Sequence, residues 1–182
     1  MGGQAGDIGL ITSNNAKAEV KYTKKTGDGI YLHEVTVTEG TFELSQEVTL
    51  TVCKENRMAV SRNHSATHLL HKALKEVLGA HVAQAGSLVT DSRLRFDFSH
   101  FEAMTSQQLK ETEDKVNKAI LDCLPITVQE LPIAEAKKLG AEAQFGEKYG
   151  DVVRVVSMGD YSIEFCGGTH LTNTAQCGLF KL

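Results

Sequence analysis

The sequence has no apolar run approaching the ~20 residues that cross a bilayer, and its N-terminus lacks the basic-then-apolar order of a signal peptide. These absences exclude a helical membrane protein and point to the cytoplasm, with no membrane partner. A cationic surplus is also missing: 19 Lys and Arg face 23 Asp and Glu, a net charge of −4, so nucleic acid is not held by a bulk positive field. Cysteine is sparse, at four residues. Cys53, Cys123, Cys166 and Cys177 allow two disulfides, but in a reducing compartment such residues read as core residues or metal ligands, and Cys53 and Cys123 sit among apolar neighbours as expected buried positions. With two prolines there is no Pro-rich linker, and neither an internal repeat nor a low-complexity segment breaks the chain. What remains is ample: 182 residues at 41% hydrophobic and 23% charged supply a core for one or two small domains and exclude disorder.

Charge is distributed unevenly. Residues 54–95 hold Lys54, Arg57, Arg62, Lys72, Lys75, Arg93 and Arg95 against Glu55, Glu76 and Asp91, a local surplus of +4 in a chain of net −4. Such a window either orients a polyanion or is an ordinary solvated face.

Residues 1–60 read as β. Segments 16–25, 30–38 and 47–53 alternate or carry β-branched runs, and glycine turns separate them, giving a small barrel or half-barrel. Its opening, Gly2-Gly3-Gln4-Ala5-Gly6-Asp7-Ile8-Gly9, suits either tight backbone turns or a flexible chain end. Near Met58 the period changes to 3.6, and residues 61–79 read as a helix with Ser61 or Asn63 as N-cap and Gly79 as terminator. Strands at 81–89 and 93–99 follow, then a helix over 106–124 that starts on a Thr105-Ser-Gln-Gln108 capping box and stops at Pro125. A strand at 126–131, a short helix at 133–139 and strands at 152–158, 161–165 and 178–182 complete the chain. The fold class is α+β: a small β-barrel-like N-terminal part followed by a mixed or antiparallel sheet flanked by two long helices. The expected domains are a glycine-rich β subdomain at 1–60 and a second domain at 61–182.

His64 and His68 are four apart, hence about 40° apart on one helix face and able to reach a common ion. The stripe of Ala66, Leu69, Leu70, Ala73, Leu74 and Val77 lies about 200° around, so the histidines point away from the main packing face. They are either metal ligands or part of a polar solvent face with His71 and Lys75. A hundred residues on, Cys166-Gly167-Gly168-Thr169-His170 places a thiol and an imidazole on a loop that two glycines let turn tightly. One thiolate and three imidazoles form a set that suits Zn²⁺. Ser65 follows the first histidine where metalloproteases carry Glu, and no carboxylate to serve as general base is evident nearby.

Five stretches together carry a resemblance: Asn63-His64-Ser65-Ala66-Thr67-His68-Leu69-Leu70-His71, residues 81–89, residues 93–100, Phe145-Gly146-Glu147-Lys148-Tyr149-Gly150, and Cys166-Gly167-Gly168-Thr169-His170. In this order they resemble the editing domain of alanyl-tRNA synthetase, and the Gly2-Gly3-Gln4 opening is similar to the glycine-rich motif that precedes it there. Free-standing alanyl-tRNA editing proteins and the editing module of threonyl-tRNA synthetase share the two metal half-motifs. The resemblance covers essentially the whole chain, which reads as a segment of a longer synthetase without its ATP- and alanine-binding domain, so that no ATP is needed.

The resemblance implies hydrolytic proofreading. An alanine pocket excludes neither glycine by size nor serine strongly, because an apolar site discriminates only about a hundredfold against an added hydroxyl. The implied substrate is the acceptor end of tRNA(Ala) carrying serine or glycine, and the implied cofactor is Zn²⁺ on His64, His68, Cys166 and His170, which activates water or polarises the ester carbonyl. Thr67 and Gln84 are the expected pocket residues that distinguish serine; Arg62, Lys72, Arg93 and Arg95, with Lys54 and Arg57, are the expected tRNA contacts. His71 is expected outside the ligand set, since four other ligands already complete a tetrahedron. Alternatives are a structural-zinc RNA-binding module, a free-standing trans-editing protein, or a metal-independent interaction domain in which the half-motifs coincide by accident.

Overall fold

The structure is a computed structural model that describes residues 3–142 and 150–182. Gly2 and residues 145–149 of the fourth motif lie outside the described residues. The chain divides into two compact units, Ala5–Ala59 and a second made of Met1–Gln4 with Val60–Leu182.

In the first unit β1 (Gly9–Thr12), β2 (Lys17–Lys25), β3 (Tyr31–Glu39) and β4 (Thr49–Val52) form one antiparallel sheet in the order β3-β2-β1-β4. Alternate residues Ala16, Ala18 and Val20 are buried, the period expected of a strand with one covered face. The alternation in residues 16–53 anticipates β2, β3 and β4. It misses β1, whose four residues follow the glycine run without a polar alternation yet occupy the middle of the sheet.

Helix α1 (Lys54–Leu78) starts seven residues before the expected 61. Lys54, Glu55, Asn56 and Arg57 continue the helical register, Glu55 lies in the first turn, and the Cys53 carbonyl accepts from the Arg57 amide at 3.0 Å. Ser61 and Asn63 are therefore not caps. Ser61 Oγ donates to Thr169 Oγ1 at 3.2 Å and Asn63 Nδ2 to the Thr90 carbonyl at 2.9 Å. Within the first unit Arg57 Nε donates to Asp7 Oδ1 at 2.9 Å, with a second bond from Nη2 to Oδ2, so this guanidinium is committed to a carboxylate.

In the second unit β5 (Gln84–Val89) and β6 (Leu94–Phe98) form a hairpin, and β7 (Ile126–Pro132), β8 (Val152–Met158) and β9 (Ser162–Phe165) form an antiparallel sheet in that order. Helices α2 (Ser106–Leu121) and α3 (Ile133–Lys138) complete it. The class is α+β, as expected. Leu69, Leu70 and Leu74 of α1, Val116 and Ile120 of α2, and Val156 and Met158 of β8 share one buried cluster.

Three local expectations change. Helix α2 ends at Leu121 rather than 124: Cys123 takes a positive φ of 51°, and Leu124, preceding Pro125, is disfavoured in the helical region. Cys123 is exposed and Cys53 half-buried, so neither is a core residue. Residues 178–182 form no strand. Asn117 of α2 binds both backbone groups of Phe180, at 3.0 Å each, so a helix side chain satisfies the tail in place of a ladder.

Thr105 caps α2 as expected, its hydroxyl accepting from the Gln108 amide while the Gln108 side chain accepts from the Thr105 amide. Thr105→Ala should lower stability by about 1 kcal/mol, read as a lower denaturant midpoint at unchanged slope.

Candidate metal centre

The four residues that could hold a metal ion lie within the second unit. Helix α1 supplies His64 and His68, and the loop after β9 supplies Cys166 and His170. The four donor atoms lie within 4.8 Å of one another. His64 Nε2 and His170 Nε2 each sit 3.3 Å from Cys166 Sγ. His64 and His68 are each 3% exposed, which overturns the solvent-face alternative for this side of α1; His71, at 7%, is buried with them. The helix packs on more than its apolar stripe, because β9 and the glycine loop cover the histidine side.

Two imidazoles are hydrogen-bonded from behind: His64 Nδ1 meets Gln4 Oε1 at 2.6 Å and His170 Nδ1 meets Ser65 Oγ at 3.2 Å. His68 Nδ1 makes no hydrogen bond and lies at ion-pair distance, 3.4 Å, from Glu164 Oε2. In His64 and His170 an occupied Nδ1 leaves Nε2 as the nitrogen turned to the cluster, the arrangement by which outer partners fix ligand tautomers. Gln4 Oε1 further accepts from the Thr169 amide at 2.9 Å. The N-terminal glycine run thus acquires a role: Gly3, at φ 71°, passes so close to β5 that a Cβ would lie 1.9 Å from the Ser87 carbonyl oxygen. The Val89 amide donates to the Gly3 carbonyl at 2.9 Å, which seats Gln4 behind His64. Gly3 and Gln4 therefore sit in a tight turn.

Arg154 of β8 shapes the loop by donating from Nη1 to the carbonyls of Cys166 and Gly168, both at 2.7 Å. Gly168 is required by close approach: a Cβ there would lie 1.9 Å from His64 Cε1 and 2.3 Å from His64 Nδ1.

The electrostatics suit a cation. Burial alone would push the Cys166 thiol up, but hydrogen bonds from His170, His64 and His68 pull it down to about 2, which favours the thiolate. Burial opposes charge on His68 as well, yet Glu164 and the Cys166 contact outweigh it and raise the ring to about 9. Burial takes His170 down to about 4, leaving it neutral.

The four expected ligands are thus brought together, and His71 stays outside them, its Nδ1 3.2 Å from Glu164 Oε1. Thr67 is buried between the two α1 histidines and donates to the Asn63 carbonyl at 2.8 Å. Gln84 opens β5, half-buried opposite Phe98. Of the basic residues, Lys72 lies 3.7 Å from Glu76 and Arg95 lies 3.1 Å from Asp97, while Arg62 and Arg93 are exposed without an acidic partner among the described residues. The sequence reading missed Gln4, Arg154 and Glu164. It found no carboxylate near the site, whereas Glu164, two residues before Cys166, reaches two histidines of α1.

Residues 153–182, which contain Arg154, Glu164, Cys166 and His170, match the family model described as the threonyl and alanyl tRNA synthetase second additional domain. The chain is similar to that class over this stretch, which carries the Cys166 and His170 half of the donor set. The whole chain is similar to part of alanine–tRNA ligase: it is 58% identical over 181 residues to the enzyme of Acetivibrio thermocellus and, equally, to that of Clostridioides difficile, and 53% identical to that of Bacillus subtilis. The match takes in 100% of this chain and 21% of each ligase, so the chain spans about one fifth of the length of these curated relatives. These matches bear out the resemblance to the editing domain of alanyl-tRNA synthetase. Among the described residues no helix is long and apolar enough to cross a membrane.

Gly168→Ala should displace His64 and reduce metal uptake at least tenfold while the chain stays folded, checked by metal content and circular dichroism on one preparation.

Proposed function

We propose that this chain is the proofreading module of an alanyl-tRNA synthetase, hydrolysing the ester that joins serine or glycine to tRNA(Ala) in the cytoplasm. The observation that carries the reading is the group of His64, His68 and Cys166, all buried, with half-buried His170, whose donors lie within 4.8 Å, in a chain 58% identical to part of an alanine–tRNA ligase. The mixed donor set, one thiolate with three imidazoles, fits Zn²⁺ by softness and by tetrahedral count. When bound, Zn²⁺ supplies Lewis-acid stabilisation for charge developing on an ester oxygen.

The chain's own residues supply selection. Thr67 donates its hydroxyl proton to the Asn63 carbonyl, so toward a ligand Oγ1 offers acceptor capacity. A serine hydroxyl satisfies it by donating; the alanine methyl leaves it unpaired, and a polar group left unpaired disfavours the analogue. Glycine, with no hydroxyl, is not selected by this device. Gln84 positions the ester or the attacking water through its amide, and Arg62 and Arg93, free of acidic partners among the described residues, take phosphates of the acceptor end. A closed set of four protein donors is also the pattern of structural sites, which supports a second reading as a structural-zinc RNA-binding module.

The test is hydrolysis of Ser-tRNA(Ala), Gly-tRNA(Ala) and Ala-tRNA(Ala) over a range of protein concentrations, before and after chelation. Release of serine and glycine with Ala-tRNA(Ala) spared, lost on chelation and restored by Zn²⁺, is expected; tRNA binding without hydrolysis selects the structural-zinc reading. In the same assay Thr67→Val should slow serine release several-fold, the worth of one neutral hydrogen bond at ~0.5–1.5 kcal/mol, leaving glycine release and zinc content unchanged. Gln84→His should slow both releases with zinc retained.

A further inference from the structure

We propose that Glu164 is a positioning residue of this centre: its carboxylate holds the His68 ring at Nδ1, is braced from the other side by His71, and thereby aims His68 Nε2 at the ion. The inference rests on reading the four-residue group as a metal centre.

Glu164 Oε2 lies 3.4 Å from His68 Nδ1, and Oε1 lies 3.2 Å from both His71 Nδ1 and Ser162 Oγ. The residue is 6% exposed. No Lys or Arg makes an ion pair with it among the described residues; Lys75 pairs instead with Glu142, and Arg154 spends Nη1 on the loop carbonyls. A carboxylate buried without a permanent cation is a poor packing group, and an apolar side chain would fill the same space at lower cost. Its two imidazole partners sit one helical turn apart on α1, and one of them is a proposed ligand. His68 Nδ1 has no other partner, so this ion-pair contact places a carboxylate where an outer group orients a ligand ring and raises its basicity. Of the three groups behind the histidines, Gln4 and Ser65 are neutral, and Glu164 alone brings charge. His71 then has a place without binding metal: its ring packs on Phe96 with centroids 5.2 Å apart and ties the second carboxylate oxygen.

The experiment measures Zn²⁺ affinity by competition with a chromophoric chelator and the visible spectrum of the Co²⁺-loaded chain, for the parent, E164A, E164Q, H71F and the E164A/H71F double variant. E164A should weaken Zn²⁺ binding 10–100-fold and alter the Co²⁺ bands. E164Q, which keeps size and one acceptor oxygen but no charge, should fall between. H71F should weaken binding less than E164A, and the double variant no more than E164A alone, because His71 acts only through Glu164. Parent-like affinity and spectrum in E164A overturn the proposal, as does an additive loss in the double variant. If E164A does not fold, parent-like affinity in E164Q overturns it instead. A parent chain that takes up neither ion overturns the metal reading and this inference together; a metal-binding parent whose variants bind equally well overturns this inference alone.

Discussion

Everything around the site follows from one constraint: a thiolate is kept out of water at Cys166. A buried anion is tolerated only among donors and positive charge, and the fold supplies three imidazoles, of which His68 is held toward its protonated form by Glu164 and Cys166, together with the Gly168 amide at 3.4 Å. Those groups lie a hundred residues apart in sequence. Helix α1 must therefore run against the loop after β9, the loop must be glycine at 168, and Arg154 must occupy the carbonyls that the loop turns back toward β8.

The second layer carries the constraint outward. Gln4 and Glu164 come from the N-terminal run and from β9, while Ser65 comes from α1 itself; Gln4 and Ser65 each hydrogen-bond one Nδ1, and Glu164 lies 3.4 Å from the third. The Gly3-Gln4 segment, far from the site in sequence, is anchored on β5 and ends behind His64. Geometry at the ligands thus depends on strand pairing at Val89 and on the sheet that carries β9, so the site is made by the fold of its unit and not by a local motif.

How much of this was legible depended on range. Spacing of four on a helix and of four across two glycines are local patterns, and both half-motifs could be read directly. So could the capping box at Thr105 and the alternation of β2. The histidine face stayed open between ligands and solvent because periodicity ranks only apolar residues: a stripe of Leu and Ala marks one buried side, whereas His64, His68 and His71 are buried by groups that arrive from β9 and the loop. Glu164 was invisible for the same reason, since nothing in Ser162-Ile163-Glu164-Phe165 says which residue faces α1 until the pairing with β8 fixes the register. The C-terminal tail looked like a strand because alternation cannot tell a ladder partner from Asn117 of a helix.

The central claim is that one sulfur and three imidazole nitrogens close on a single ion. X-ray absorption at the zinc edge of the loaded chain measures this directly. The account predicts one sulfur at about 2.3 Å and three nitrogens at about 2.0–2.1 Å, with imidazole outer-shell scattering. A first shell with no sulfur, or with two or more, would contradict it.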